Sequence, residues 1–373
     1  MAVVVAAIAA CAPGAGRDRD AALPLTSWGP GGRPDGARTP APAASPDAAP
    51  TTAPAPTPVV SADAAPADLY YVDGTKVLRR RAGGGTDVLA DVPTPDVVAP
   101  PDTPLLAYVT GAPSPDDDFL VDPVLHVLDP WARDHLKIGA GVSPLWQPAM
   151  PRVAYLQPVG DRRCEGERCS GAVRVALTNA FDGAVDVLLP AGRWSLLGWA
   201  GDVLLVADAT RPERTVTVDF SGRRGSLPVP PREIWGASPD GRWLLVARPG
   251  EAAFVPLDRG HIAGSPRPVP LAGRVIADGS WAHDSSRVAA VLLDPSGRRP
   301  SKVVVLAPES PRPVTVAGSA GASSSVLWAP TGAEIAFAAE AGRRLEARVC
   351  ALEGAPCRRG PSWTSGVRLL QLY

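Results

Sequence analysis

The chain has 373 residues, with 37 Lys and Arg against 38 Asp and Glu, a formal net charge of −1. That balance speaks against a basic nucleic-acid-binding surface, and 44 prolines with 37 glycines speak against a protein of long helices. No run of 18 or more apolar residues is present, so no segment reads as a membrane-spanning helix. The 45% of hydrophobic residues suffices for a sizeable core, and the composition fits an all-β body with a Pro-rich segment attached.

Residues 2–10 read AVVVAAIAA, and Cys11 follows. Nine apolar residues have the length of the hydrophobic region of a secretory signal, with small residues before the cleavage point. Ile8-Ala9-Ala10-Cys11 resembles the lipobox of bacterial lipoproteins. That resemblance implies a signal peptide over residues 1–10 and a thiol at Cys11 that is acylated and becomes the new N-terminus. The protein is then expected to be exported and lipid-anchored to the cell membrane or outer membrane.

Residues 12–66 hold 12 Pro and 15 Ala among 55 positions, with no apolar periodicity. Such a segment cannot bury enough surface to offset its ordering entropy. Residues 11–66 therefore read as a lipidated N-terminus and disordered linker. The linker's reach lies between about 40 Å as a flexible coil and about 170 Å as polyproline II.

Of five cysteines, four remain after Cys11. They form two local pairs, Cys164 with Cys169 and Cys350 with Cys357, each spanning a loop. In an exported chain such pairs point to disulfides. Zinc is the weaker reading, because His126, His135, His261 and His283 are not spaced as partners to either pair.

From residue 67 onward one pattern returns: an anchor residue, a Pro/Gly/Asp turn, then a β-rich run. The anchors are Ala99, Trp146, Trp199, Ala237, Trp281, Trp328 and Trp363, with a mean spacing of 44. A period of this length containing several short strands is the sign of a β-propeller blade. In the last two full repeats the expected strands are Val288–Leu293 and Lys302–Ala307, then Ile335–Ala339 and Glu346–Leu352. A third stretch opens on Pro-Arg-Pro, as at Pro311–Val316 and Pro266–Leu271. These runs are too short and too punctuated for helices.

The turn Ser238-Pro239-Asp240-Gly241, followed by the strand RWLLVA, resembles the WD40-like PD40 repeat of TolB-type β-propellers. The resemblance covers most of residues 67–373 and implies a β-propeller; 307 residues at a period of 44 give almost seven blades, so the expected fold is an all-β, seven-bladed propeller, with six or eight blades as alternatives. In that family the Trp packs between blades, while Pro-Asp-Gly turns the chain into the next strand. The seventh blade must be shared. The C-terminal SWTSGVRLLQLY is expected to supply its inner strand, and Leu69–Val72, Lys76–Arg80 and Thr86–Ala90 the others, which places Tyr373 near Leu69–Val72. Pairing the ends removes an exposed sheet edge.

No G-x-S-x-G, H-E-x-x-H or phosphate-cradling glycine loop occurs. No catalytic residue, metal site or cofactor is assigned. On the inner-strand approaches Asp278 stands out as a carboxylate among Ser, Gly, Ala and Trp. Two long loops of neighbouring repeats are more informative. The loop 112–122 carries Asp116, Asp117 and Asp118, and the loop 161–171 carries Arg162, Arg163, Arg168 and the Cys164/Cys169 pair. Equivalent loops of adjacent blades project from one face, so an acidic and a basic loop are expected side by side as a partner-recognition rim. A mutual surface salt bridge with no partner is the plainer alternative. The expected role is non-catalytic binding of an envelope protein or extracytoplasmic ligand, as a monomer or within a hetero-complex. A propeller hydrolase or lactonase and a cell-wall or carbohydrate binder are the alternatives, the latter calling on Trp131, Trp194, Trp235 and Trp243.

Overall fold

The computed structural model describes residues 66–94, 97–100, 105–114, 119–132, 134–148, 150–160, 163–165, 168–352, 356–364 and 367–372. Cys11 and the segments 1–10 and 12–65 lie outside them. Antiparallel strands fall into seven sheets arranged as a seven-bladed β-propeller.

Blade one joins the two ends of the described chain. Val367–Leu372 is its innermost strand, and Leu69–Asp73, Lys76–Arg80 and Thr86–Asp91 follow outward. Blade two runs Val97–Val98, Leu106–Pro113, Leu120–Asp129 and Asp134–Ala140. Blade three runs Val142–Trp146, Arg152–Val159, Ala172–Asn179 and Val185–Gly192; blade four runs Trp194–Ala200, Val203–Asp208, Thr215–Val218 and Arg224–Leu227. Blade five has Ile234–Ala237, Trp243–Arg248 and Glu251–Asp258, then His261–Ile262 and Arg267–Val269, both paired with the third strand. Blade six runs Val275–Trp281, Val288–Leu293, Lys302–Ala307 and Ser310–Thr315; blade seven runs Ala322–Trp328, Glu334–Ala341, Arg344–Ala351 and Arg358–Trp363. Among the described residues there is no α-helix; a 3-10 turn at Pro231–Glu233 enters blade five.

Burial follows position in the blade. The second strand of blade six, VAAVLL, is buried almost throughout, as a strand covered on both faces by neighbouring blades must be. The outermost strand of blade one, TDVLAD, is half polar and has a single buried residue, Leu89. The hydrophobic residues form seven clusters, each between two adjacent blades. The core is therefore a ring of interfaces.

The anchor tryptophans hold these interfaces in one repeated way. Trp146 Nε1 donates to the Val98 carbonyl at 3.0 Å, Trp199 Nε1 to Leu145 at 3.3 Å and Trp328 Nε1 to Ser280 at 2.8 Å. Each acceptor directly precedes the anchor of the previous blade. The turns after the first strands are also linked around the ring: Gln147 Nε2 to Asp202 Oδ1 at 3.0 Å, Asp240 N to Ser285 Oγ at 2.9 Å, and Arg287 to the Gly332 carbonyl at 3.1 Å. In the Ser-Pro-Asp-Gly turn, Ser238 Oγ donates to Asp240 Oδ1 and Gly241 N to the Ser238 carbonyl. Gly241 has φ +72°, and a Cβ there would lie 2.7 Å from the Ala200 carbonyl oxygen of blade four.

The ring closes as expected, with Leu69 opposite Leu372 and Tyr71 opposite Leu369. Tyr373 itself lies outside the described residues. One expectation is corrected. Trp363 was to open the inner strand of the shared blade, but it ends the outermost strand of blade seven. Its ring still packs in the interface between blades seven and one, with Leu69, Tyr71 and Leu369. A short link then carries the chain inward, so the inner strand is only Val367–Leu372.

Because strands alternate in direction, turns after the first and third strands of each blade share one face, called here the upper face. Loops after the second strand open on the lower face.

Candidate functional site

On the lower face, the loop after Arg152–Val159 folds into a small hairpin, Arg163–Glu165 against Arg168–Cys169. Cys164 and Cys169 are directly opposite and joined by a disulfide. Cys164 is fully buried among Leu156, Val173 and Val175 of its own blade. Ser170 N donates to the Arg163 carbonyl at 2.9 Å and closes the base of the hairpin.

By sequence the hairpin belongs to blade three, yet it pairs with blade two: Cys164 stands opposite Leu120, and Arg163 opposite Val121. Leu120 begins the strand that follows the Asp-rich loop, whose stem is tied by Ser114 N to the Phe119 carbonyl at 2.7 Å. The stems of the two loops are thus adjoining strands. Arg163 is exposed. Asp116, Asp117, Asp118 and Arg162 lie outside the described residues, as does the side chain of Arg168.

The second disulfide, Cys350–Cys357, spans the turn before the last strand of blade seven. Cys350 is buried in the interface with blade six, and Cys357 lies against Ala317 and Gly318, on the link between those blades. Both pairs suggested by spacing are present as disulfides.

The two histidines of blade two are brought together. Tyr108 Oη is 2.8 Å from His135 Nδ1, Thr110 Oγ1 is 2.9 Å from His126 Nε2, and the Tyr108 ring stacks on His126. Burial holds His126 below the usual imidazole range, with Lys137 and His135 adding to the effect. Beside them, His135 and residues Val88–Asp91 of blade one border a groove of about 360 Å³.

A larger groove of about 660 Å³ lies on the upper face between blades four and five, bordered by Asp202, Asp219, Asp240, Arg223, Arg242 and His261. Three of its carboxylates are already engaged. Asp202 accepts from Gln147, Asp240 from Ser238, and Asp219 from the Ser221 hydroxyl and the Ser221 and Arg223 backbone N–H groups, with the Arg223 guanidinium 3.8 Å away. The Ser221 hydroxyl and Arg223 hold Asp219 below the usual carboxylate range. Sequence reading missed this groove; the recurring Asp at the turns was the available signal, and it reads equally well as turn chemistry.

On the innermost strand of blade six, Asp278 accepts from Gly279 N at 2.6 Å and from Ser325 N of blade seven. The inner-strand carboxylate thereby ties two blades together. Among the described residues, no group of three or more His, Cys, Asp or Glu is placed to hold a metal ion. Of the tryptophans outside the anchors, Trp131 is exposed, Trp194 donates to the Pro190 carbonyl, Trp235 lies against Gly279 and Trp243 carries the Arg267 guanidinium over its ring.

No protein-family model matches the chain, and no curated protein matches it. Solved structures do. A prolyl endopeptidase matches at 16% identity and TM-score 0.56, over 80% of this chain and 47% of that one. The periplasmic gluconolactonase of Pseudomonas aeruginosa matches at 14% identity and TM-score 0.51, over 83% and 99% of the two chains. TolB from Acinetobacter baumannii matches at 14% identity and TM-score 0.45, over 80% of each chain. At these identities the likeness is one of fold.

Proposed function

We propose that this is an exported lipoprotein, acylated at Cys11, whose propeller is a non-catalytic binding platform for an envelope protein or other extracytoplasmic ligand. One observation carries the reading: the disulfide-clasped hairpin of blade three is paired with the strand that follows the Asp-rich loop of blade two. On this reading, the two loops whose stems adjoin form a charged rim of the lower face, with Asp116, Asp117 and Asp118 contributed by one and Arg162, Arg163 and Arg168 by the other. Oppositely charged groups fixed in one pattern give specificity and a fast encounter with a complementary partner. A rigid ring with loops on one face suits this task. Two disulfides fit an oxidising, extracytoplasmic compartment, and the Pro/Ala segment 11–66 would tether the ring to its anchor.

The test is co-purification from cross-linked cell envelopes. Arg162→Glu with Arg163→Glu should lose the partner recovered with the wild type; undiminished recovery overturns the rim. Separately, Cys11→Ser should abolish labelling by a fatty-acid analogue. Labelling that persists overturns acylation at Cys11.

A further inference from the structure

We propose that the upper face of the propeller rests on the lipid bilayer, held by the apolar turn tips Trp131, Met150 and Phe181. This deepens the lipoprotein reading and, for its geometry, rests on it. Trp131 is on the turn after the third strand of blade two, and Phe181 on the equivalent turn of blade three. Met150 is on the turn after the first strand of blade three. They are 51%, 71% and 42% exposed, where turn tips are ordinarily polar. The turns of Met150 and Phe181 adjoin, and Trp131 stands on the neighbouring blade with the Arg79 guanidinium 5.0 Å from its ring centroid. Ala180 N donates to the Pro151 carbonyl at 2.9 Å, joining the turns that carry Phe181 and Met150. Gly183 lies against Leu136 and Ile138 of blade two.

These tips are held outward by their own turns. Asn179 Oδ1 accepts from Phe181 N at 2.9 Å and Asp182 Oδ1 from Ala184 N at 2.8 Å. Asp129 Oδ1 accepts from Trp131 N at 2.9 Å and Ala132 N at 3.1 Å. Entry into the headgroup region therefore strips no water from these N–H groups, which is the chief cost of placing irregular backbone there. Aromatic side chains on such tips prefer the membrane interface.

The occupant follows from where the chain enters the ring. Ala67 N donates to Glu334 Oε2 at 2.8 Å and the Ala67 carbonyl accepts from Arg358 at 3.2 Å, both on the upper face. Residues 12–66 thus leave from the same side as the apolar tips and lead back to Cys11. A linker of about 40 Å as a coil lets that side settle on the bilayer holding the anchor without wrapping round the ring. The lower rim then faces away from the lipid, toward partners.

The experiment uses the full chain carrying Cys11→Ser, so that no acyl group contributes and the outcome is independent of whether Cys11 is acylated in cells. Co-sedimentation with vesicles of phosphatidylglycerol and phosphatidylethanolamine should show partitioning. It should fall at least about tenfold in Trp131→Ser with Phe181→Ser, as expected for losing two buried aromatics, with an unchanged thermal melt. Phe181→Trp should keep it. A fluorophore on Phe181→Cys should be quenched by spin-labelled lipid, and one on Glu213→Cys, on the lower face, should not. A chain that stays in the supernatant, a double variant that partitions equally, or equal quenching at both positions overturns the proposal. So does a dimer in solution that the double variant dissolves without any vesicle binding, which would assign the face to a second copy.

Discussion

Trp328 of blade seven donates its indole N–H to the Ser280 carbonyl of blade six at 2.8 Å, one residue before that blade's own anchor, Trp281. The same bond recurs at Trp146 and Trp199. In Trp281 the N–H lies near Gly236 without a partner. Truncating Trp328 to Ala removes a buried side chain and should cost about 3–5 kcal/mol. Trp328→Phe keeps most of the packing and should cost about 1 kcal/mol or somewhat more for the bond and the orphaned carbonyl. Trp281→Phe should cost less than Trp328→Phe. Denaturant melts of the three variants check this; equal losses for the two Phe variants would remove the hydrogen bond from the account.

Gly241 is required twice, by its left-handed backbone and by the closeness of Ala200 in the neighbouring blade. Gly241→Ala should therefore destabilise by about 1–3 kcal/mol. Gly250→Ala, also at positive φ (+81°) but with nothing near a Cβ, isolates the backbone component. The difference between their melting midpoints reads the contact between blades four and five.

Removing residues 367–373 takes away the innermost strand of blade one and uncovers Leu69, Tyr71 and Trp363 in the closing interface. The exposed edge of Leu69–Asp73 is then a template for pairing between chains. The shortened protein should elute as aggregates on size exclusion and lose its cooperative melt. A monomeric, cooperatively melting product would mean that the ring does not depend on this closure.

Replacing Cys164 and Cys169 together by Ser should cost about 2–2.5 kcal/mol on the chain-entropy estimate for so short a loop. The cleft between blades two and three should open first, because among the described residues the hairpin pairs with blade two at Arg163 and Cys164, opposite Val121 and Leu120. Limited proteolysis should cut within residues 160–171 in the variant and not in the wild type.

His126 titrates below its ordinary value because it is buried, with Lys137 and His135 nearby. The unfolded chain therefore takes up a proton at higher pH than the folded one. This group's contribution is present above about pH 6.5, the unfolded value, and is lost as pH falls toward the lower folded value. The wild type should lose more melting temperature between pH 7.5 and 5 than His126→Gln. Parallel pH profiles would show that the stacked Tyr108–His126 pair does not sense protons.

The repeat, the seven blades, the shared closing blade and both disulfides were legible in the chain, because strand length, turn chemistry and cysteine spacing are local properties. Trp363 shows where locality stops. It has the Ser-Trp-turn signature of an inner strand, yet whether such a residue ends one blade or opens the next depends on which strand it pairs with, and Leu345 decides that. The same holds for the hairpin at Cys164. Its sequence assigns it to blade three, but register across space attaches it to Leu120 of blade two. The exposure of Phe181 and the entry of Ala67 on the same face were also invisible in one dimension. Side-chain type is written residue by residue, whereas facing, pairing and proximity are set only when long-range hydrogen bonds and buried surface fix one blade against another.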